Sequence, residues 1–387
     1  MRIAPRCLNH LFNYEKNPFL FFNPDLLPYL NKINIINPSS VKLIQVGVNL
    51  TPIINKQKIA LSELKGRKFA VDAYNILHQF LALIRTREGT LLKDSHGIVT
   101  SHLVGLAFRS TRLMLDYRMK LVFVFDGEPP ELKKDEIKKR LKIKEEAEKE
   151  YHKAVKKGDY KTAWSKAVQT GRLTLENVFD SKHLLDLLGI PWIQAPGEGE
   201  AQAAYLAKEG DVWATNSRDF DSLLYGSPRL VRYITIQGKK WLPSKGVARR
   251  LVPELMDLNE TLNTLTIQRE QLIDLSIMIG TDYNEGIKGV GPKTALKLIK
   301  KYGTIENLPK KILEKTPENL NKIRQQYLKP NITTKYSLKH KKFDEENLVK
   351  FLCDERDFSK DRVEVLIQRL RKSESQSSLK SWMEDSQ

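Results

Sequence analysis

Seven carboxylates stand where the chain changes element. Asp72 and Asp126 each end a short apolar run, Lys68-Phe69-Ala70-Val71 and Leu121-Val122-Phe123-Val124-Phe125, and Asp219 and Asp221 follow a third, Asp211-Val212-Trp213-Ala214-Thr215. Glu198 and Glu200 sit in Pro196-Gly197-Glu198-Gly199-Glu200, a turn that opens a helix, and Asp282 closes the helix containing Leu275-Ser276-Ile277-Met278-Ile279. In an open parallel sheet the ligand crevice lies at the carboxyl ends of the strands, so the seven can converge on one rim. Anions gathered so closely repel one another and hold protons unless cations come between them. Oxygen donors of this kind suit Mg²⁺, which keeps several of its waters. Two such ions about 4 Å apart can activate a water and stabilise the leaving oxygen of a phosphodiester. Any one of these acids also fits an N-cap, a turn or a surface charge; it is the whole set that points to a metal site.

The elements that must position them follow from the hydrophobic pattern. Short continuous apolar runs bounded by polar residues suit strands buried on both faces. Between them lie amphipathic stretches: from Asp72 through Ile84, from Ser101 to Arg118, over Leu173–Leu188 and over Glu200–Lys208, with a further short strand at Ile190–Ile193. Strands alternating with helices predict an α/β fold with a central, mostly parallel sheet flanked by helices. From Arg269 onward the chain reads as mostly helical, with a Gly-rich turn at Gly286–Gly291. After Arg371 the composition turns to Ser, Lys and Glu, which predicts a flexible tail over 371–387.

Composition narrows the partner. The 387 residues carry 65 Lys and Arg against 47 Asp and Glu, a net charge of +18 that favours a polyanion such as nucleic acid. Hydrophobic residues make up 41%, enough for a substantial core and too many for a disordered chain. No apolar run reaches the roughly 18 residues a membrane span needs. Cys7 and Cys353 are the two cysteines, with neither a disulfide framework nor metal-ligand spacing, which suits a reducing intracellular compartment. Between Lys133 and Lys157 eleven basic and six acidic residues alternate on a helical stretch. Lys133 and Arg140 lie seven residues apart, two helical turns, so both can face one side.

The ordered motifs resemble the structure-specific 5′ nucleases, most closely the flap endonucleases of archaea and eukaryotes. The resemblance rests on Gly47-Val48-Asn49-Leu50-Thr51-Pro52, Val71-Asp72-Ala73-Tyr74, Val124-Phe125-Asp126-Gly127-Glu128-Pro129-Pro130 and Ala195-Pro196-Gly197-Glu198-Gly199-Glu200-Ala201, then Asp219-Phe220-Asp221 and Ile279-Gly280-Thr281-Asp282-Tyr283 running into Gly289-Val290-Gly291-Pro292-Lys293. It covers nearly everything after residue 45. It implies a PIN-like nuclease domain over 46–370, with a helical arch at about 130–165 and a helix–hairpin–helix-type element at about 270–302. It implies that Asp72, Asp126, Glu198, Glu200, Asp219, Asp221 and Asp282 bind two Mg²⁺. Lys133 and Arg140 would then project from the arch onto the scissile phosphate. The arch would thread or clamp a 5′ flap, and its charge suggests disorder without DNA.

Other positions are carried over the same way. Gly289, Gly291 and Lys293 would grip the downstream duplex through backbone approach and a helix N-terminus, with K⁺ held by nearby carbonyls. His78 stands where relatives carry a Tyr that stacks on the base next to the cut. Arg85, Arg87, Leu92 and Thr100 fall in the region that forms a one-nucleotide 3′-flap pocket in relatives. Tyr283, beside Asp282, reads as a packing or positioning residue. In the tail, Gln376, Leu379, Trp382 and Met383 resemble a peptide that binds a sliding clamp (PCNA), the apolar residues meeting on a short 3₁₀ turn.

The implied activity is metal-dependent cleavage of branched DNA with a 5′ flap, by a monomeric enzyme, in Okazaki fragment maturation and long-patch base excision repair. A sibling 5′–3′ exonuclease or bubble-cutting repair nuclease is the alternative within the class; a catalytically silent, clamp-tethered DNA-binding module is the alternative outside it. The location is intracellular: cytoplasmic in an archaeon, nuclear in a eukaryote. Residues 1–45 are rich in Asn, Ile, Phe and Pro and match no targeting pattern. Relatives begin with Met immediately before the Gly-Val element, a place taken here by Val46. The expectation is that Val46 is the true start, read as Met from a non-standard codon, with residues 1–45 as translated upstream sequence; a real N-terminal extension is the alternative, and intact mass of the native protein decides between them.

Overall fold

The computed structural model describes residues 47–86, 90–235, 239–242 and 247–384; side chains of 239–242, 247–250, 376–384 and a few arch positions are outside that description, as are Val46, the segment before it and Arg87. Nine strands matter here: β1 (Gln57–Lys58), β2 (Lys68–Asp72), β3 (Lys120–Phe125), β4 (Trp192–Gln194), β5 (Ala214–Asn216), β6 (Arg229–Arg232), β7 (Lys239–Leu242), β8 (Val247–Arg250) and β9 (Glu254–Asp257). Seven form one sheet in the order β1-β9-β6-β5-β2-β3-β4. The central pairings β6-β5-β2-β3-β4 are all parallel, whereas β9 runs antiparallel to both β6 and β1 at one edge. The mostly parallel sheet expected from the apolar runs is therefore present, with an antiparallel edge added.

The period of two within β2 and β3 divides the core. Phe69, Val71, Phe123 and Phe125 face one side, packed with Leu77 and Phe80 of helix α1 (Ala73–Leu83) and with the C-terminal residues Leu366, Ile367 and Leu370. Ala70, Val122 and Val124 face the other side, against Ala203, Leu206 and Ala207. Both faces are covered, which is why these strands read as unbroken apolar runs. The helix expected over Ser101–Arg118 runs from Ser101 to Tyr117, but with wider π winding over Gly105–Ser110.

The charged segment after β3 folds as an antiparallel pair, helices α2 (Lys134–Lys156) and α3 (Tyr160–Thr170), rather than as the disordered stretch its charge suggests. Ala147, Ala154, Ala163 and Ala167 are buried, and small residues let the two helices approach closely. Lys166 pairs with Glu150 and Arg172 with Glu148 along the seam.

Helix α4 (Gly199–Lys208) follows β4, and α5 (Arg269–Ile279) with α6 (Pro292–Tyr302) frames the Gly-rich turn. Arg324 locks this region. Its guanidinium meets Asp274 at 2.6 and 2.8 Å and also binds Glu306, while the Ile305 N–H donates to Asp274 Oδ2.

From Lys329 to Asp344 the chain runs as an extended strap behind α4. Gln202, fully buried, grips it at both poles of one residue: its Nε2 donates to the Thr333 carbonyl (3.0 Å) and its Oε1 accepts the Thr333 N–H (2.7 Å). Tyr336 donates to Asp211, and the Lys341 and Asp344 N–H groups donate to the Gly189 and Leu187 carbonyls. Helix α7 (Lys360–Glu384) then returns to the first core. Its backbone is helical through Glu384, across most of the stretch expected as a flexible tail, and the side chains of Gln376, Leu379, Trp382 and Met383 lie outside the description. Among the described residues no helix is long and apolar enough to cross a membrane.

Candidate metal centre and its surroundings

All seven carboxylates come to the carboxyl-terminal rim of the parallel strands. Asp72 ends β2 and caps α1, accepting the Asn75 N–H at 3.0 Å; a capping acid at a strand end is thereby aimed across the crevice. Asp126 follows β3 and accepts the Gly199 N–H at 2.6 Å. A Cβ on Gly199 would lie 2.6 Å from that same oxygen, so only glycine lets the turn carrying Glu198 and Glu200 come this close. Glu198 is the N-cap residue of α4 and Glu200 lies in its first turn, with Ser222 donating to it at 3.3 Å. Asp219 and Asp221 follow β5. Asp282 sits in a tight turn past the end of α5, between the two-residue strands Gly280–Thr281 and Asn284–Glu285, rather than on the helix itself.

The start of the described chain lies directly on this cluster. The Gly47 N–H donates to Asp282 Oδ1 and the Val48 N–H to Asp221 Oδ1, both at 3.2 Å. Gly47 has φ +71°, and a Cβ there would stand 3.1 Å from an Asp221 oxygen, so the Gly-Val element is part of the rim.

Burial is the first cause of the electrostatics. It raises Asp72 to about 6, helped by the charge of Glu198 and opposed by hydrogen bonds and by Lys133. It raises Asp126 and Asp219 to about 7 and Asp221 to about 8, with repulsion from neighbouring acids adding in each case. Glu200 is pushed well up for the same two reasons. Such a set has unspent affinity for cations. Two come from the arch. Lys133 Nζ lies 2.5 Å from Glu198 and 3.2 Å from Asp282; burial pulls its pKa down, but the surrounding acids outweigh that and hold it well above the usual lysine value. Arg140 Nη2 lies 2.5 Å from Asp282, with Glu136 steadying its Nε at 3.0 Å.

The donor set fits hard divalent cations: oxygen only, buried, and under-neutralised. Among the described residues no three acids are gathered tightly enough to hold an ion alone.

The other expected positions divide. His78 is half-buried on α1 facing the arch; burial, then the charges of Lys144 and Arg140, lower its pKa to about 4, so it is a neutral ring at the edge of the crevice. Arg85 and Thr100 are buried, at 6% and 5% exposure, and present no side chain to the surface; Arg87 lies outside the described residues. Gly289 (φ +86°), Gly291 and Lys293 are exposed on an open turn leading into α6. Tyr283 is buried, sharing a 2.6 Å hydroxyl contact with Tyr225 and packing on Tyr327 beneath Asp282. Neutral residues behind the rim, Asn75, Ser217 and Ser222, went unread, because a lone amide or hydroxyl carries no pattern; their spacing from Asp72, Asp219 and Asp221 is the one clue.

The XPG N-terminal domain matches residues 47–147 and the XPG I-region residues 189–282, which together hold every rim carboxylate. The chain is 48% identical over 336 residues to flap endonuclease 1 of Hyperthermus butylicus, covering 85% of this chain and 95% of that one. The chain belongs to the flap endonuclease 1 family. Flap endonuclease 1 of Staphylothermus marinus gives 47% over 335 residues, 85% of this chain and 95% of that one. The solved flap endonuclease-1 from Methanococcus jannaschii superposes with a TM-score of 0.66 at 42% identity, covering 84% of this chain and 98% of that chain. Flap endonuclease 1 relatives thus match most of this chain.

Proposed function

We propose that the chain is a structure-specific 5′ flap endonuclease that hydrolyses one phosphodiester near the branch of a flapped duplex, using two Mg²⁺. The observation that carries this is an acidic rim lying directly under two arch cations, Lys133 and Arg140. Family membership supports it. Bound at the rim, divalent cations supply Lewis acidity toward the phosphodiester and its attacking water.

The chain's own residues do the rest. Asp72, Asp126, Glu200, Asp219 and Asp221 offer the oxygen donors. Lys133 and Arg140, which hold Glu198 and Asp282, turn toward the phosphate and stabilise its developing charge. His78 offers a neutral ring for base stacking. Gly289, Gly291 and Lys293 hold duplex backbone through N–H groups and charge, with K⁺ held by nearby carbonyls. Recognition is by shape and backbone rather than by base sequence. Gln376, Leu379, Trp382 and Met383 tether the enzyme to a sliding clamp (PCNA), which places a monomeric, intracellular enzyme in Okazaki fragment maturation and long-patch repair.

The test is incubation with Mg²⁺ on 5′-flap, bubble and nicked duplexes, beside Asp219→Ala. A single cut at the flap base, lost in the variant, is the expected result. Stepwise mononucleotide release would assign an exonuclease instead, and intact substrates a binding module.

A further inference from the structure

Neutral side chains, as well as acids, converge behind the rim. Asn75 stands in the first turn of α1. Its backbone N–H makes the ordinary capping contact with Asp72, but its side chain does more than a cap requires. Nδ2 donates to Asp219 Oδ2 at 2.8 Å, across 144 positions of sequence. Oδ1 accepts the Arg218 N–H at 3.4 Å and the side-chain amide of Gln79, which is 4% exposed one turn further along α1. The amide has one workable orientation: a carboxylate only accepts, so the NH₂ faces Asp219, and the Arg218 N–H needs the carbonyl oxygen. On the other side, Ser217 Oγ donates to Asp72 Oδ2 and accepts the Asp219 N–H, both at 3.2 Å. Asp72 from β2 and Asp219 from the loop after β5 are therefore tied by two polar bridges.

Helix formation does not explain an amide at position 75, since Leu or Ala favours a helix more than Asn does. Nor does capping, which uses the backbone N–H alone. What the amide adds is a fixed rotamer for one rim carboxylate.

We propose that Asn75, backed by Gln79, is a positioning residue that sets the Asp219 carboxylate for divalent-cation binding. This rests on the rim being a metal site, as proposed above. Removing partners of this kind costs about 10–100-fold in metal affinity.

The experiment titrates Mn²⁺ alone, without DNA, into the full chain, Asn75→Leu and Gln79→Leu by calorimetry, with each melting temperature taken in EDTA. Wild-type uptake of Mn²⁺, weakened about tenfold or more in Asn75→Leu and more than twofold in Gln79→Leu, is the expected result. A merely structural role would lower the melting temperature and leave the Mn²⁺ affinity within twofold, which overturns the proposal. If Asn75→Leu does not fold, Gln79→Leu decides by the same twofold criterion. A wild-type chain that takes up no Mn²⁺ would refute the metal-site reading itself, before the variants are compared.

Discussion

Asp221 illustrates what the rim costs in the absence of cations. Burial and its acidic neighbours raise its carboxyl to about 8, and Asp219 and Asp126 rise to about 7, all from an ordinary value of 3.8. Each binds its proton more tightly folded than unfolded. Their contribution to stability is therefore fully present below about pH 4 and is lost as pH rises through 7 to 8. In EDTA the melting temperature should fall between pH 6 and pH 8. Mg²⁺ should raise it more at pH 8 than at pH 6, because cations replace protons there. Equal Mg²⁺ stabilisation at both values would contradict this. Lys133 makes a second, separable case. Lys133→Ala removes one preorganised cation and should slow single-turnover flap cleavage about 10²–10³-fold. Mn²⁺ binding should persist, because the carboxylates remain.

At the scale of elements, the Arg324 clamp links the hairpin region to the chain beyond it. Asp274 is 4% exposed, and Arg324 is its ionic partner. Arg324→Met strands a buried carboxylate and should cost about 3–5 kcal/mol, read in urea unfolding. Duplex binding should weaken with it, since both Asp274 on the helix before the glycine turn and Glu306 just past the helix after it lose their partner. Elements with long-range apolar logic were the legible ones: β2 and β3 match the expected runs to within a residue. β4 begins two residues later than expected, because Pro191 has no N–H to give the ladder. The strands β1, β6 and β9 and the hairpin β7–β8 went unread, being two to four residues long and set by tertiary pairing rather than by pattern. The arch was legible as a charged helix, yet its ordering was not, because that depends on four alanines whose burial needs a partner helix. The seven acids were legible from where they fall; the burial of Arg85 and Thr100 was not, since a resemblance says nothing of how a loop packs in this chain.

Over the whole molecule, charge is segregated rather than merely abundant. Seven acids gather at one rim, and Lys133 and Arg140 of the arch lie against them. A polyanion is thus attracted broadly and neutralised locally. DNA affinity should fall steeply with salt, by the counterion release that phosphate contacts bring. The proposed clamp binding should not, because Leu379, Trp382 and Met383 are apolar. Trp382→Ala should abolish binding of the cognate clamp in calorimetry and leave flap cleavage by the free enzyme unchanged. Unaltered clamp affinity would remove that tether from the account.

The strap over Lys329–Asp344 ties the fate of the rim to a segment far from it in sequence. Gln202 holds both polar groups of Thr333 from the helix that Glu198 caps. Opening helix α4 therefore breaks its bonds to the strap, and the strap is stitched at Leu187, Gly189 and Asp211 as well. In native-state hydrogen exchange, the Thr333 amide and the amides of α4 should exchange as one cooperative unit with a common opening free energy. A segment more than a hundred residues beyond Gln202 thus braces the helix that carries Glu200.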